Sequence, residues 1–368
     1  MRRQIRYAVV GLGHIAQVAM LPAFANARRN SKLAALVSGD AFKLTELSRK
    51  YEVDTTCGYE RYDALLKSGD IDAVYIALPN SMHCDYAVRA ARAGIHVLCE
   101  KPMAVTEDEC ERMAQAAREG GKNGAVKLMV GYRLHFERAN LEALEVGRSG
   151  RIGEPRQFSS AFTMAVTPGN IRVKSALGGG VLYDIGIYCI NAARSLFGEE
   201  PIEARAIAAG TLGDVEESVG ALLRFPNERV ASFVCSFGSA KVSQYRVIGT
   251  KGDLLVEPAY EYAAPLRHRL TIDGDSRERR FAKRDQFAPE LLYFSDCVLQ
   301  GRDPEPGAAE GLADVRVIRA LYRSAESGQA VALEPYQKLE RPSLEQEIRR
   351  PPLEKPEVVH AQAPSGEN

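Results

Sequence analysis

The chain has 368 residues, 45% hydrophobic and 26% charged, which suits two globular domains with sizeable cores. Lys and Arg together number 48, as do Asp and Glu, so no net field draws the chain to nucleic acid or to an anionic bilayer. The seven cysteines are scattered and lack a CxxC pair, and the six histidines show no ligand spacing, which excludes a disulfide framework and predicts no metal.

Reduced thiols of this kind point to the cytoplasm. Met1-Arg2-Arg3 followed by YAVVGLG imitates a signal peptide, but the apolar run is short and leads straight into a glycine loop, as a strand would. No apolar run approaches the ~20 residues that a membrane span needs.

Residues 7–10 predict a buried strand that turns through Gly11-Leu12-Gly13 into a helix opening at His14 and Ile15. Gly11 permits the tight turn, Gly13 lets a pyrophosphate approach the backbone, and Ala16 lets helix and strand pack closely. The helix N-terminus adds free N–H groups and a positive dipole end. A second strand follows at 33–37. Beyond it, where NAD-binding units place a carboxylate for the ribose 2′-OH, stand Ser38 and Gly39, with Asp40 two residues late and Lys43 after it. A hydroxyl and an ammonium suit a 2′-phosphate, so NADP is favoured, while Asp40 leaves NAD open. Lys43 has a plainer reading too, as a solvated residue in the first turn of a helix at 45–51.

Residues 71–78 form an almost wholly apolar strand, as in a parallel sheet covered on both faces. It ends at Leu78, Pro79 and Asn80, at the strand edge where open α/β sheets bind ligands. His83 reads mainly as helping to start the next helix. A strand at 96–99 leads to Glu100-Lys101-Pro102, and Thr106 with Glu109 makes a capping box for the following helix. Lys101, beside a proline of fixed φ at this edge, is a catalytic candidate. The last strand of the unit, 127–131, precedes Tyr132-Arg133-Leu134-His135.

Strands then follow one another without intervening helices, at 157–166, 202–211, 219–225, 230–237, 245–248, 253–256 and 268–272, with turns at Asn227 and 249–252. They predict an antiparallel sheet with one face against the nucleotide domain or a partner subunit. Before the second of them, Gly178-Gly179-Gly180 leads into a helix that ends at Gly198. Asp184 and Tyr188, four apart, share one face of this apolar helix. A buried tyrosine bonded to a neighbour is the plain alternative. Late helices are predicted at 286–300 and 308–327. From Pro335 the chain is rich in proline and charge, ending APSGEN, and reads as an unfolded tail or as an arm over a neighbouring subunit.

The stretches GLGHIA, LVSGDAFK, AVYIALPNSMH, CEKPMAV, GYRLHF, GGGVLYDIGIY and GEEPIEARA resemble the Gfo/Idh/MocA oxidoreductases, and within them the glucose–fructose oxidoreductase branch. The resemblance runs from about residue 5 to about residue 334. It implies a Rossmann doubly wound parallel sheet (1–131), an α+β domain with a large, mostly antiparallel sheet (132–334), and a nicotinamide cleft between them. The tail, 335–368, has no counterpart. Lys101 matches the family's catalytic lysine, and Asp184 and Tyr188 match an Asp and His-or-Tyr pair. Ser38 and Lys43 match contacts to the NADP 2′-phosphate. Arg133, Arg172 and Lys174 fall in stretches near cofactor and sugar. The expected nucleotide contacts are thus Gly11, Gly13, His14, Ile15, Ser38, Gly39, Lys43, Leu78, Pro79, Asn80, His83, Glu100, Lys101, Arg133 and Arg172.

The implied reaction takes a hydride and a hydroxyl proton from a sugar, or returns them to its carbonyl. A phenol is a poor base at its free pKa of ~10, and a nearby ammonium favours phenolate. Tyr188 is therefore assigned the proton, Lys101 the polarising charge, and Asp184 the orientation of Lys101 or a sugar hydroxyl. The alternatives are a sugar or polyol dehydrogenase that releases NAD(P) each cycle, and a non-catalytic sensor of the same fold. A homodimer or homotetramer through the sheet is expected.

Overall fold

A computed structural model describes residues 3–121, 124–338 and 340–366. Met1 and Arg2 of the leader-like start, and Glu367 and Asn368 of the tail, lie outside the described residues. The chain forms two compact units, each discontinuous in sequence. The first comprises Met1–Arg133, Asp285–Gly311 and Arg349–Asn368, the second Leu134–Arg284 and Leu312–Ile348.

The first unit is built on six parallel strands: β1 (Ile5–Val10), β2 (Ser31–Val37), β3 (Thr55–Cys57), β4 (Ala73–Ile76), β5 (His96–Glu100) and β6 (Leu128–Gly131). Their spatial order is β3-β2-β1-β4-β5-β6, so the winding reverses between β1 and β4. That reversal brings the carboxyl ends of β1 and β4 together, the position at which doubly wound sheets bind ligands. β4 is buried at every residue, which explains its unbroken apolar run. The helix Ala288–Gln300 returns to this unit and packs on β1, where Tyr7 Oη lies 2.7 Å from Ser295 Oγ and the Tyr7 ring meets Phe24 and Phe294. Thr106 and Glu109 form the expected capping box on the helix Glu107–Glu119, worth about 1 kcal/mol.

The second unit carries a nine-stranded sheet. Its strands are β7 (Pro155–Ala165), β8 (Glu203–Leu212), β9 (Val215–Phe225), β10 (Arg229–Ser236), β11 (Gly238–Gly249), β12 (Gly252–Val256), β13 (Arg267–Ile272), β14 (Asp275–Arg280) and β15 (Val331–Ala332). Among the described residues every pairing in it is antiparallel except β7 with β10, which run parallel. The helical stretch 182–197 packs on β7 and β10. Register places Ile207, Leu222, Val230 and Val234 on one face of β8–β10, and all four are exposed. By length and composition Ser175–Phe197 passes as a membrane span, but 67% of its apolar window is buried inside the unit, as in the core helix of a globular domain.

Candidate active site

The nucleotide loop follows from local backbone demands. Gly11 has φ +92°, and a Cβ there would sit 2.5 Å from the Ala77 carbonyl oxygen at the end of β4. No other residue fits without moving β4. A Cβ on Gly13 would meet nothing within 4 Å, so the open side of the loop has room for a phosphate. Ala16 is fully buried where the helix crosses β1. Gln17 Nε2 donates to the Leu12 carbonyl at 2.9 Å and ties the helix to the loop.

At the end of β2, Ser38 is buried and its Oγ accepts from Asp40 N at 3.1 Å. Asp40 is the N-cap of the helix Ala41–Tyr51, its Oδ1 accepting from Phe42 N at 3.0 Å and Lys43 N at 3.1 Å. The helix therefore starts four residues earlier than 45–51, because the Asp40 carboxylate satisfies its first N–H groups. These bonds hold the Asp40 carboxyl below the usual carboxylate range. Lys43 is half-buried in the first turn, and among the described residues its ammonium makes no hydrogen bond. The turn after β2 thus carries a hydroxyl and an ammonium, with the Asp40 carboxylate engaged in capping.

Lys101 follows β5 directly, and its peptide bond to Pro102 is cis. Behind it lies a buried acidic layer. The Glu100 carboxyl accepts a short hydrogen bond from Tyr75 Oη and another from Lys101 N at 3.3 Å. Burial raises its pKa against the opposing pull of Tyr75, Lys101 and Arg133. Arg133, itself buried, donates to Gln286 Oε1. Glu290 is fully buried, and neither of its carboxyl oxygens has a partner among the described residues. Protonating an ordinary carboxyl at pH 7 costs about 3–4 kcal/mol, less than burying its bare charge. Burial first, then Glu100, holds the Glu290 pKa far above its ordinary value, which favours the neutral acid.

In the second unit, the stretch Leu182–Gly186 is π-helical and continues as the helix Ile187–Phe197, closed by Gly198 at φ +68°. Every residue from 181 to 190 is buried except Asp184 and Tyr188. Arg172 Nε donates to Asp184 Oδ2 at 2.8 Å, and Arg172 Nη1 donates to Asn170 Oδ1 at 3.3 Å. A Cβ on Gly179 would lie 2.4 Å from the Arg172 carbonyl, so the glycine run is what lets the 170–174 loop lie against the helix. The Tyr188 ring packs edge-on against Phe162 at 5.6 Å and tilted against Tyr260 at 5.8 Å. Tyr260 Oη in turn lies 2.7 Å from Ser160 Oγ.

Comparison with known proteins bears on this geometry. Residues 5–132 match the sequence model described as an oxidoreductase family with an NAD-binding Rossmann fold, and residues 141–255 match the GFO/IDH/MocA C-terminal domain. The D-xylose 1-dehydrogenase [NADP(+)] of Haloarcula marismortui is 31% identical over 90% of this chain and 93% of its own. The chain belongs to the GFO/IDH/MocA oxidoreductase family.

Among other members, the dTDP-3,4-didehydro-2,6-dideoxy-alpha-D-glucose 3-reductase of Streptomyces violaceoruber is 32% identical over 89% of this chain and 95% of its own. The crystal structure of the aldose-aldose oxidoreductase from Caulobacter crescentus, complexed with glycerol, is 39% identical with a TM-score of 0.84, covering 90% of this chain and all of that one. The Gfo/Idh/MocA resemblance read from the motifs therefore holds, as does the pairing of a Rossmann sheet with a large, mostly antiparallel one.

Within that frame the expected nucleotide contacts divide. Gly11, Gly13, Ser38 and Gly39 line the loops after β1 and β2, Lys43 lies in the first turn of the helix Ala41–Tyr51, and His14 and Ile15 open the first helix. Leu78, Pro79 and Asn80 follow β4. His83 is fully buried, with Nδ1 at 2.9 Å from the Pro102 carbonyl and Nε2 at 2.9 Å from that of Leu78, so both ring nitrogens face backbone carbonyls of the loops after β4 and β5. The side chain of Glu100 is likewise turned inward to Tyr75, and that of Arg133 to Gln286. Arg172 lies in the second unit on Asp184, and Lys174 is exposed. Motif reading missed Gln17, Glu290 and the Phe162–Tyr260 cage. Only Gln17, a polar residue on an otherwise apolar helix face, left a trace in the sequence.

Proposed function

We propose that the protein is an NADP-dependent oxidoreductase that moves a hydride between the nicotinamide and the carbinol or carbonyl carbon of a sugar. The observation that carries this reading is the pair Asp184 and Tyr188, the two partly exposed positions of an otherwise buried helical stretch. A core helix keeps such groups exposed at a cost in packing, which function explains. Relatives named for D-xylose and aldose chemistry supply the substrate class.

The residues present fit the cofactor. The bare backbone at Gly11 and Gly13 would face the pyrophosphate, and Ser38 with Lys43 would hold the 2′-phosphate, since Asp40 is spent as a helix cap. Bound nicotinamide supplies the two-electron acceptor or donor. The chain's own task is the proton. Tyr188 Oη takes it from the sugar hydroxyl or gives it to the carbonyl oxygen. Lys101 Nζ polarises that oxygen and favours its deprotonated form. Asp184, fixed by Arg172, orients a sugar hydroxyl. All seven thiols are free, which suits a reducing cytoplasm, and the exposed apolar face of β8–β10 suits a homodimer or homotetramer.

The test is Tyr188→Phe, which keeps the ring against Phe162 and Tyr260 and removes only the hydroxyl. Turnover with an aldose should fall by roughly a hundredfold to ten-thousandfold, with NADP affinity nearly unchanged. Equal losses in both would overturn the assignment.

A further inference from the structure

The last segment of the chain has no part in the reaction derived above. Residues 349–366 belong to the first unit and run along it as extended chain and bends. Arg350 Nε donates to the Asn26 carbonyl at 3.0 Å, and Asn26 Nδ2 donates to the Pro351 carbonyl at 3.0 Å. Lys50 Nζ donates to the Glu357 carbonyl at 3.1 Å. The Gln17 amide then brackets residue 359: its Nε2 donates to the Val359 carbonyl at 2.8 Å, and its Oε1 accepts from Val359 N at 2.7 Å. At the next residue the His360 ring stacks on Phe42, with centroids 4.7 Å apart and planes 24° from parallel, and its Nδ1 lies 3.0 Å from Asp40 Oδ2.

These last two anchors are the helix that leaves the glycine loop and the turn after β2. Gln17 also bonds to Leu12, between the two loop glycines. Asp40 caps the helix that carries Lys43. In a Rossmann unit those two places hold the pyrophosphate and the ribose 2′ position, the two ends of the adenosine half. One stretch, Val359-His360, thus ties them together. The contacts are specific in kind: a paired amide on a single backbone unit, an aromatic stack, and a carboxylate–imidazole pair. His360 takes φ +46°, a left-handed backbone uncommon for a non-glycine residue. The aldose-aldose oxidoreductase structure is covered in full by 90% of this chain.

We propose that the C-terminal segment is a built-in wall of the dinucleotide site, in which Val359 and His360 close the adenosine end and slow the release of NADP. The proposal rests on the NADP reading above. It makes the chain an enzyme that keeps its nucleotide through several turnovers.

The test compares the full-length protein with the full-length double variant Val359→Pro, His360→Ala. The first change removes the N–H that Gln17 accepts, and the second removes the ring on Phe42 and Asp40. Both lie on the docked segment, away from the sheet. NADPH is bound, excess NADP is added, and the loss of enhanced nicotinamide fluorescence gives the release rate. The double variant should release NADPH about tenfold or more faster, the usual place for an affinity change to show, and His360→Ala alone should shift it in the same direction. Release rates equal to wild type in both variants would overturn the wall while leaving the NADP reading intact. A wild-type chain that binds no NADPH would overturn the NADP reading, and the wall with it.

Discussion

Arg172 holds Asp184 from within its own unit: the guanidinium Nε donates to the carboxylate at 2.8 Å while the same side chain is steadied by Asn170. Asp184 is therefore a pre-oriented acceptor. Both partners are partly exposed, so the pair contributes order more than stability. Arg172→Ala should lower turnover about tenfold, the scale of one misplaced positioning group, with little change in melting temperature. Arg172→Lys, which cannot reproduce the planar guanidinium, should recover only part of the loss. Steady-state kinetics on the two variants check this, and full activity in Arg172→Ala would remove Arg172 from the site.

The proposed preference for NADP rests on Lys43. Lys43→Ala should weaken NADP binding by about 1–2 kcal/mol, as for a single charge-assisted contact, and leave NAD binding unchanged. Nucleotide titrations followed by fluorescence measure both. Equal weakening of the two nucleotides would show that Lys43 does not discriminate between them.

Glu290 sets a dependence of stability on pH. Its pKa is raised in the folded chain by burial and by Glu100, so the unfolded chain loses this proton first as pH rises. The contribution is fully present below the ordinary glutamic acid value of about 4.3 and declines above it towards the raised folded value. Glu290→Gln keeps the shape and removes the titration. Across the range from pH 5 to 8, the melting temperature of wild type should fall relative to that of the variant. A constant gap would mean that Glu290 does not change its protonation between the two states.

Much of the fold is legible in the amino-acid sequence alone. The strand–glycine–helix start, the apolar parallel strands and the Thr106 capping box are local, and local patterns carry them. The Asp184–Tyr188 pair is legible because a helix repeats every 3.6 residues. β14 is not, since Asp275–Arg280 is exposed at all six residues and has no apolar alternation to read. Nor is the helix start at Ala41, which depends on Asp40 serving as a cap. The pairing of Arg172 with Asp184 needs the close approach that Gly179 allows, a tertiary fact. The tail reads as unfolded because its proline and charge cannot form a core. What holds it is a set of hydrogen bonds to residues far earlier in the chain, such as Glu200 to Arg341 and Gln17 to Val359. Of the paired carboxyls behind Lys101, Glu290 comes from a late helix that the motif of β5 does not announce.

The measurement that tests the central claim most directly is the near-ultraviolet spectrum of the purified full-length protein on addition of NADP and an aldose, glucose or D-xylose, followed by a second sugar as acceptor. Hydride transfer to the nicotinamide predicts that the reduced-nicotinamide band grows with the aldose and fades with the acceptor. Protein that binds NADP yet yields no band with any aldose, with NADP or NAD, would contradict the account.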